Sequence, residues 1–305
     1  AGDGPVSRGD ATRGYGARGV LDGVDYGAAQ ARAHEIEREE NRTYVHAFDD
    51  ETVMAGQGTL GLEIADQRPS VDTVVVPIGG GGLISGVATA LKGALDDVRV
   101  VGVQAAGADS AARSLHKGRR TETATVDTIA DGIAVRAVGE QTFPVIEDRV
   151  DEIVTVDDEE IALALTLLLE RSKTLVEGAG AIALAAVREE AFDYDDGEVI
   201  VPALCGGNID LNQLTTVVMR GLVQMGRYLR IRTELKDRPG ALQGLIDMIA
   251  SHNANIYAIR HDRTSRDIAV NGADVVLDLE TRNEDHGASL VAALEEHGYD
   301  VDVLV

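Results

Sequence analysis

Four consecutive glycines, Gly79-Gly80-Gly81-Gly82, follow the run Val74-Val75-Val76-Pro77-Ile78 and precede Leu83-Ile84-Ser85-Gly86. A phosphate dianion requires several backbone N–H donors aimed at one point, with the positive end of a helix dipole behind them. Successive glycines let the chain take positive φ and approach the phosphate without a Cβ in the way. A Walker loop needs Gly-Lys-Ser/Thr, which the chain lacks. A dinucleotide fingerprint needs Gly-x-Gly-x-x-Gly, but counting from Gly79 ends on Ile84 and counting from Gly80 ends on Ser85. The acidic residue expected after the next strand is missing too, because Val103 is followed by Gln104. Both nucleotide readings weaken. A second polar turn, Cys205-Gly206-Gly207-Asn208, has a thiol suited to a ring nitrogen and glycines that admit a ring edge. A buried, inert cysteine at a strand end is the competing reading.

The elements that must position these residues can be read from periodicity. The first stretch predicts a short strand over 18–21, a helix from Asp25 to Glu40, an extended segment over 43–48 and a helix from Thr52 to Ile64. Val71 to Pro77 reads as a buried parallel strand, followed by a helix from Leu83 to Leu95 and a strand from Arg99 to Val103. Further strands are expected over Glu152–Val156 and Val199–Leu204. Helices are expected from an Asp157-Asp158 cap to Ser172, over Ala179–Glu190, and over Leu211–Gln224. Beyond this the pattern becomes strand 228–235, helix 241–252, strands 255–262 and 269–280, helix 288–297 and strand 300–304. That βαββαβ order predicts a ferredoxin-like unit.

Bulk composition bounds the functional classes. The chain has 305 residues, 44% hydrophobic content, a net charge of −24 and a single cysteine. Such an excess of acid repels nucleic-acid backbones. No apolar run is long enough to span a membrane, no signal-peptide pattern opens the chain, and one cysteine suits a reducing cytoplasm. The acidic residues are scattered, while lysine occurs only at 92, 117, 173 and 236. A solvated acidic surface of this kind points to a halophilic cytoplasm, where salt screens self-repulsion.

The glycine loop resembles the phosphate loop of pyridoxal-phosphate enzymes of the tryptophan-synthase β fold, nearest to the threonine dehydratases and serine racemases. The segment Asp49-Asp50 through Ala55-Gly56-Gln57-Gly58-Thr59 is similar to the family's segment ahead of that loop. Thr128-Ile129-Ala130-Asp131-Gly132, Glu177-Gly178-Ala179-Gly180-Ala181 and Cys205-Gly206-Gly207-Asn208-Ile209-Asp210 match further motifs in order. The likeness runs from about Ala11 to Gln224. It implies an α/β, fold-type-II three-layer sheet that binds pyridoxal 5'-phosphate. Gly79, Gly80, Gly81, Gly82 and Leu83 would take the phosphate, Cys205 the ring nitrogen, Glu177 a place near the ring and Asp131 the substrate side. A thiol is a weak, neutral partner, so the ring is a milder electron sink than one paired with a carboxylate. That suits α,β-elimination from threonine or serine to a 2-oxo acid and ammonia.

The chain also departs from the family. Its Schiff-base lysine motif and Asn-containing substrate loop do not occur, and Ala11-Thr12-Arg13-Gly14-Tyr15-Gly16-Ala17 resembles a segment downstream of both. The expectation is an N-terminally truncated enzyme: 1–48 the remnant of the small domain, 49–225 the incomplete large domain and 226–305 an appended module. None of the four lysines is expected to substitute, Lys92 pointing outward. The family's divalent-cation positions carry Gln104, Ala108 and Ser110, so no metal is expected. Leu235-Lys236-Asp237-Arg238-Pro239-Gly240-Ala241-Leu242 resembles the opening of ACT domains, small amino-acid sensors with a ferredoxin-like α+β fold. That resemblance implies a branched-chain effector at Asp237, Pro239, Gly240, Ala241 and Leu242, with Asn255 and Ile256 across the interface of a homo-oligomer. The leading expectation is a threonine dehydratase under amino-acid feedback. The alternatives are a catalytically silent amino-acid-binding protein and a serine dehydratase or racemase of the same fold.

Overall fold

The computed structural model describes residues 13–23, 26–264 and 268–305. Ala11, Thr12 and the expected helix start at Asp25 lie outside the described residues. The chain forms two compact units. The first runs to Ile161 and includes Leu175–Leu211; the second takes Ala162–Thr174 and Asn212–Val305.

The first unit is built on a parallel sheet of β1 (Thr73–Pro77), β2 (Arg99–Ala105), β3 (Glu152–Val156) and β4 (Ile200–Pro202), in the order β3-β2-β1-β4. β-Branched residues favour the extended backbone, and the continuous valine run of β1 is buried throughout, as expected of a strand covered on both faces. Side chains alternate across a strand. Val74 and Val76 accordingly pack with Val100 against Ile84, Val87, Ala88 and Leu91 of α3 (Gly82–Ala94). The helix later in the chain over Gly178–Arg188 packs on β1 to β4. Among the described residues this unit also contains α1 (Tyr26–Glu40), α2 (Glu51–Gln67), α4 (Ser110–Lys117) and α5 (Thr142–Arg149). They are followed by α6 (Asp158–Leu167), which crosses into the second unit, and α7, the Gly178–Arg188 helix already described.

Local capping sets several boundaries that periodicity misplaced. α2 begins at Glu51 because the Asp50 carboxylate accepts from Thr52 N at 2.8 Å and Val53 N at 3.0 Å. At α6, Asp157 Oδ1 accepts from Glu160 N at 2.9 Å and Glu160 Oε2 accepts from Asp157 N at 2.7 Å, a reciprocal box. The helix then passes into a π turn over Leu168–Ser172 and stops at Lys173, φ +57°. The strand expected over 18–21 is absent, and 43–48 joins no ladder. Among the described residues, neither stretch pairs with a neighbouring strand. β4 is shorter than expected because only Ile200 to Pro202 find partners on β1.

The second unit contains α8 (Leu211–Gln224), which starts at its boundary, and a sheet of β5 (Tyr228–Lys236), β6 (Asn255–Asp262), β7 (Gly272–Glu280) and β8 (Asp302–Val303). The sheet is antiparallel in the order β6-β7-β5-β8, with α9 (Ala241–Ser251) and α10 (Glu284–Glu296) supplying its helices. This is the ferredoxin-like arrangement predicted from element order. Ile231, Leu245, Ile249, Leu277, Leu279, Leu290 and Leu294 form its core. α10 begins four residues before the expected Ala288, because Asn283 Oδ1 accepts from His286 N at 3.0 Å and starts the helix there. β7 begins at Gly272 and β8 shrinks to two residues, since pairing with β5 ends there.

Candidate functional site

β1 has β2 on one side and β4 on the other. The chain steps outward from β1 to β3 and then returns to add β4 on the opposite flank. The carboxyl ends of β1 and β4 thus form the topological switch point of the sheet, the place where parallel sheets of this kind take ligands. The glycine loop leaves β1 at this point, and Cys205-Gly206-Gly207-Asn208 leaves β4.

Gly81 takes φ +95° at the start of α3, a left-handed backbone that suits glycine. Gly80, Gly81 and Gly82 are buried, yet no side chain caps the helix. The first N–H groups of a helix have no intrahelical acceptor, so a buried, uncapped start with the dipole behind it fits an anion. Gly79 and Leu83 keep partial exposure.

One turn, Asp131–Ile133, closes on this loop, and Glu177 and the Cys205 turn follow behind it. Ile133 covers Gly79, where an added Cβ would lie 3.0 Å from Ile133 Cα. The same turn carries Asp131, whose side chain is exposed, and Gly132. It is pinned by Asp158, which accepts from Thr128 Oγ1 at 2.6 Å and Ile129 N at 3.0 Å. Glu177, at the start of α7, donates its N–H to Gly206 O at 3.2 Å. Its half-buried carboxylate lies between Gly132 and Gly206, and a Cβ on either would press on Oε1. Gly206, at φ +124°, lets the Cys205 turn pass this carboxylate. Cys205 is half-buried, and burial pushes its thiol above the usual range. The tertiary fold thus brings Gly79–Gly82, Asp131–Ile133, Glu177 and Cys205–Gly206 into one chain of contacts.

The positions compared with a cation site are differently used. Gln104 is buried; its Oε1 accepts from Ala111 N at 2.8 Å and Ala112 N at 3.0 Å, and its Nε2 donates to Ile78 O at 3.3 Å. It caps α4 and tethers the residue ahead of the glycine loop. Ala108 and Ser110 are buried beside it in sequence. Among the described residues, no group of three or more His, Cys, Asp or Glu is placed to hold a metal. Lys92 does not point freely outward: its ammonium donates to Val98 O at 2.7 Å and pairs with Asp151 at 2.7 Å. Lys117 ends α4, Lys173 donates to Glu170 O, and Lys236 ends β5.

In the second unit a cleft of about 360 Å³ runs along the turn from Leu235 to Leu242 and is closed by His261 and Arg263. Gly240 has φ +87° at the start of α9, again without a side-chain cap. Arg263 Nε lies 3.2 Å from Asp237 Oδ1. Asn255 and Ile256 stand outside this cleft at the other end of β6, where Asn255 Nδ2 donates to Glu280 Oε2 at 2.8 Å. Sequence reasoning read Asp158 only as a helix cap and missed Ile133, His261 and Arg263. Asp158, Ile133 and Arg263 meet partners distant in the chain, so no local pattern marks those contacts. No helix among the described residues is long and apolar enough to cross a membrane.

Residues 2–206 match the family described as pyridoxal-phosphate dependent enzyme. An L-threonine ammonia-lyase of Geobacter sulfurreducens is 48% identical over 294 residues, which is 96% of this chain and 73% of that protein. This match extends far beyond residue 206 and so takes in much of the second unit. Maize serine racemase superposes with a TM-score of 0.65 at 33% identity, over 73% of this chain and 68% of its own. A threonine deaminase from T.th. superposes with a TM-score of 0.64 at 39% identity, over 68% of each chain.

Proposed function

This chain belongs to the pyridoxal-phosphate dependent enzyme family, and we propose that it serves the deamination of L-threonine to 2-oxobutanoate and ammonia, with L-serine as a second substrate. The observation that supports this most is the buried, uncapped glycine start of α3, linked through Ile133 and Gly132 to Glu177 and the Cys205 turn. The backbone donors of Gly79 to Leu83 hold the phosphate of pyridoxal 5'-phosphate. Cys205 remains an uncharged thiol and gives the ring nitrogen a weak partner. Glu177 stands near the ring, and the exposed Asp131 serves the substrate side. When bound, the cofactor supplies an electron sink for bonds broken at the amino acid's α-carbon. A neutral thiol partner keeps that sink mild, which suits loss of a β-hydroxyl. We assign covalent attachment of the cofactor to none of the four lysines, of which Lys92 is engaged by Val98 O and Asp151.

The second unit acts as an amino-acid sensor of the ACT kind. Its ferredoxin-like topology, the open start of α9 and the basic residues Lys236, Arg238 and Arg263 along the cleft suit the carboxylate of a branched-chain effector. Asn255 and Ile256 would then meet the effector from a second copy of the chain. Racemisation of serine is the competing reading, favoured by the superposition on maize serine racemase.

One assay addresses both units. The protein is titrated with pyridoxal 5'-phosphate, and then supplied with L-threonine or L-serine, with and without isoleucine or valine. The expected result is saturable cofactor binding, 2-oxobutanoate as the preferred product and suppression by one branched-chain amino acid. D-Serine as the main product would establish the racemase reading. Absence of saturable cofactor binding would overturn both readings, and indifference to every branched-chain amino acid would remove the sensor.

A further inference from the structure

We propose that Asp49 and Thr142 are positioning residues that aim the glycine loop, an inference that rests on the reading of this loop as the phosphate grip. The carbonyl of Gly80 is held twice: it accepts from Thr142 Oγ1 at 2.7 Å and from Gly139 N at 3.0 Å. In a trans peptide the C=O and the following N–H point in opposite directions. Fixing Gly80 O toward α5 therefore turns Gly81 N–H away from α5. Among the described residues, no protein acceptor takes that N–H. Gly81 itself sits against Thr142 and Ile146, so α5 forms the back of the loop.

Thr142 is in turn set by a residue ninety-three positions earlier. Asp49 Oδ1 accepts from Gln141 N at 2.8 Å and Thr142 N at 3.1 Å, and Oδ2 accepts from Glu140 N at 2.9 Å. Gln141 Nε2 donates back to Asp49 O at 2.9 Å. Asp49 thus caps α5, whose own preceding residue Gln141 makes no side-chain cap. His46 Nδ1 accepts from Asp49 N at 2.8 Å, and Phe48 lies directly on Gly80. The arrangement is a strut from the His46–Asp49 segment through the start of α5 to the Gly80 carbonyl, which sets the direction of the Gly81 N–H.

A cap that only stabilises α5 would weaken every ligand alike, whereas an aiming device acts on the phosphate. The test is a fluorescence titration of the full chain with pyridoxal 5'-phosphate and with unphosphorylated pyridoxal. Thr142→Val should weaken the phosphorylated ligand by about tenfold and leave pyridoxal within about twofold. Asp49→Asn should act in the same direction, and Thr142→Ser should bind like the unmodified chain. Equal weakening of both ligands, or no change in either, would overturn the inference. Gly81→Ala separates this failure from failure of the underlying reading. If Gly81→Ala loses the preference for the phosphorylated ligand and Thr142→Val keeps it, only the positioning role fails. If the unmodified chain shows no such preference, or Gly81→Ala retains it, the phosphate-grip reading fails and the inference with it.

Discussion

Cys205 stands where β4 gives way to a glycine turn, half-buried and neighbouring Gly206, whose missing Cβ leaves room for the Glu177 carboxylate. Burial disfavours its thiolate, so at neutral pH it is a thiol and an uncharged hydrogen-bond partner. Alkylation of the folded chain by iodoacetamide should therefore rise with pH along a curve centred above the value of about 8.5 typical of a free cysteine. In denaturant the curve should return to that value; a midpoint in the folded protein at or below it would contradict the neutral-thiol assignment. At this scale the residue types were legible. Glycines at Gly79–Gly82, a thiol at Cys205 and a carboxylate at Glu177 announce themselves by type and order. Asp49, Thr142 and Asp158 do not, because a carboxylate or hydroxyl in a loop looks alike whether it faces water or caps a helix ninety residues away. The pair Asp49-Asp50 is instructive: Asp50 caps the helix it precedes, as local rules require, while Asp49 caps a helix that sequence neighbourhood cannot reveal.

Elements were legible where their own side chains define them and misread where pairing or capping decides. The valine strand and the βαββαβ order of the second unit follow from periodicity. The start of α10 depended on Asn283, and the length of β4 on how many residues found β1. Pairing across the second sheet also fixes its electrostatics. Arg230 lies opposite Asp278 on the neighbouring strand, and its Nε donates to Asp278 Oδ1 while its terminal nitrogen reaches Tyr228 OH at 3.2 Å. The Arg230 guanidinium holds the Asp278 carboxyl below the usual carboxylate range, and Asp278 is only 8% exposed. A native pKa lower than the unfolded one stabilises the fold above the unfolded value of about 3.9, and that gain is lost as pH falls through the native pKa. Asp278→Asn should cost about 1–2 kcal/mol near neutral pH and progressively less in acid. Urea unfolding at about pH 7 and about pH 3 checks the sign; an equal cost at both would mean that the pair contributes through packing rather than charge.

At the scale of the molecule, a net charge of −24 over 305 residues sets a self-repulsion that salt must screen. The melting temperature should rise between about 0.1 and about 2 M potassium chloride, where the screening length shrinks severalfold; a flat or falling curve would mean the acidic surface imposes no such burden. Composition by itself determined this charge, while the order of residues gave the strand and helix periodicities, the glycine loop and its departure from nucleotide fingerprints. Ordered motifs carried the family. These properties are local or additive, so they survive in a one-dimensional string. The tertiary structure alone decided that β4 returns to the far side of β1, which puts the glycine loop and the Cys205 turn at the switch point of the sheet. It also placed Glu177 between two glycines and turned the Gly80 carbonyl toward Thr142. Strand order and long-range hydrogen bonds depend on which segments meet, and that is settled by packing of the whole core. The glycine loop could therefore be read from its residues as a proposed phosphate grip, while the Gly80 carbonyl is held by a helix and an aspartate that its own sequence neighbourhood does not contain.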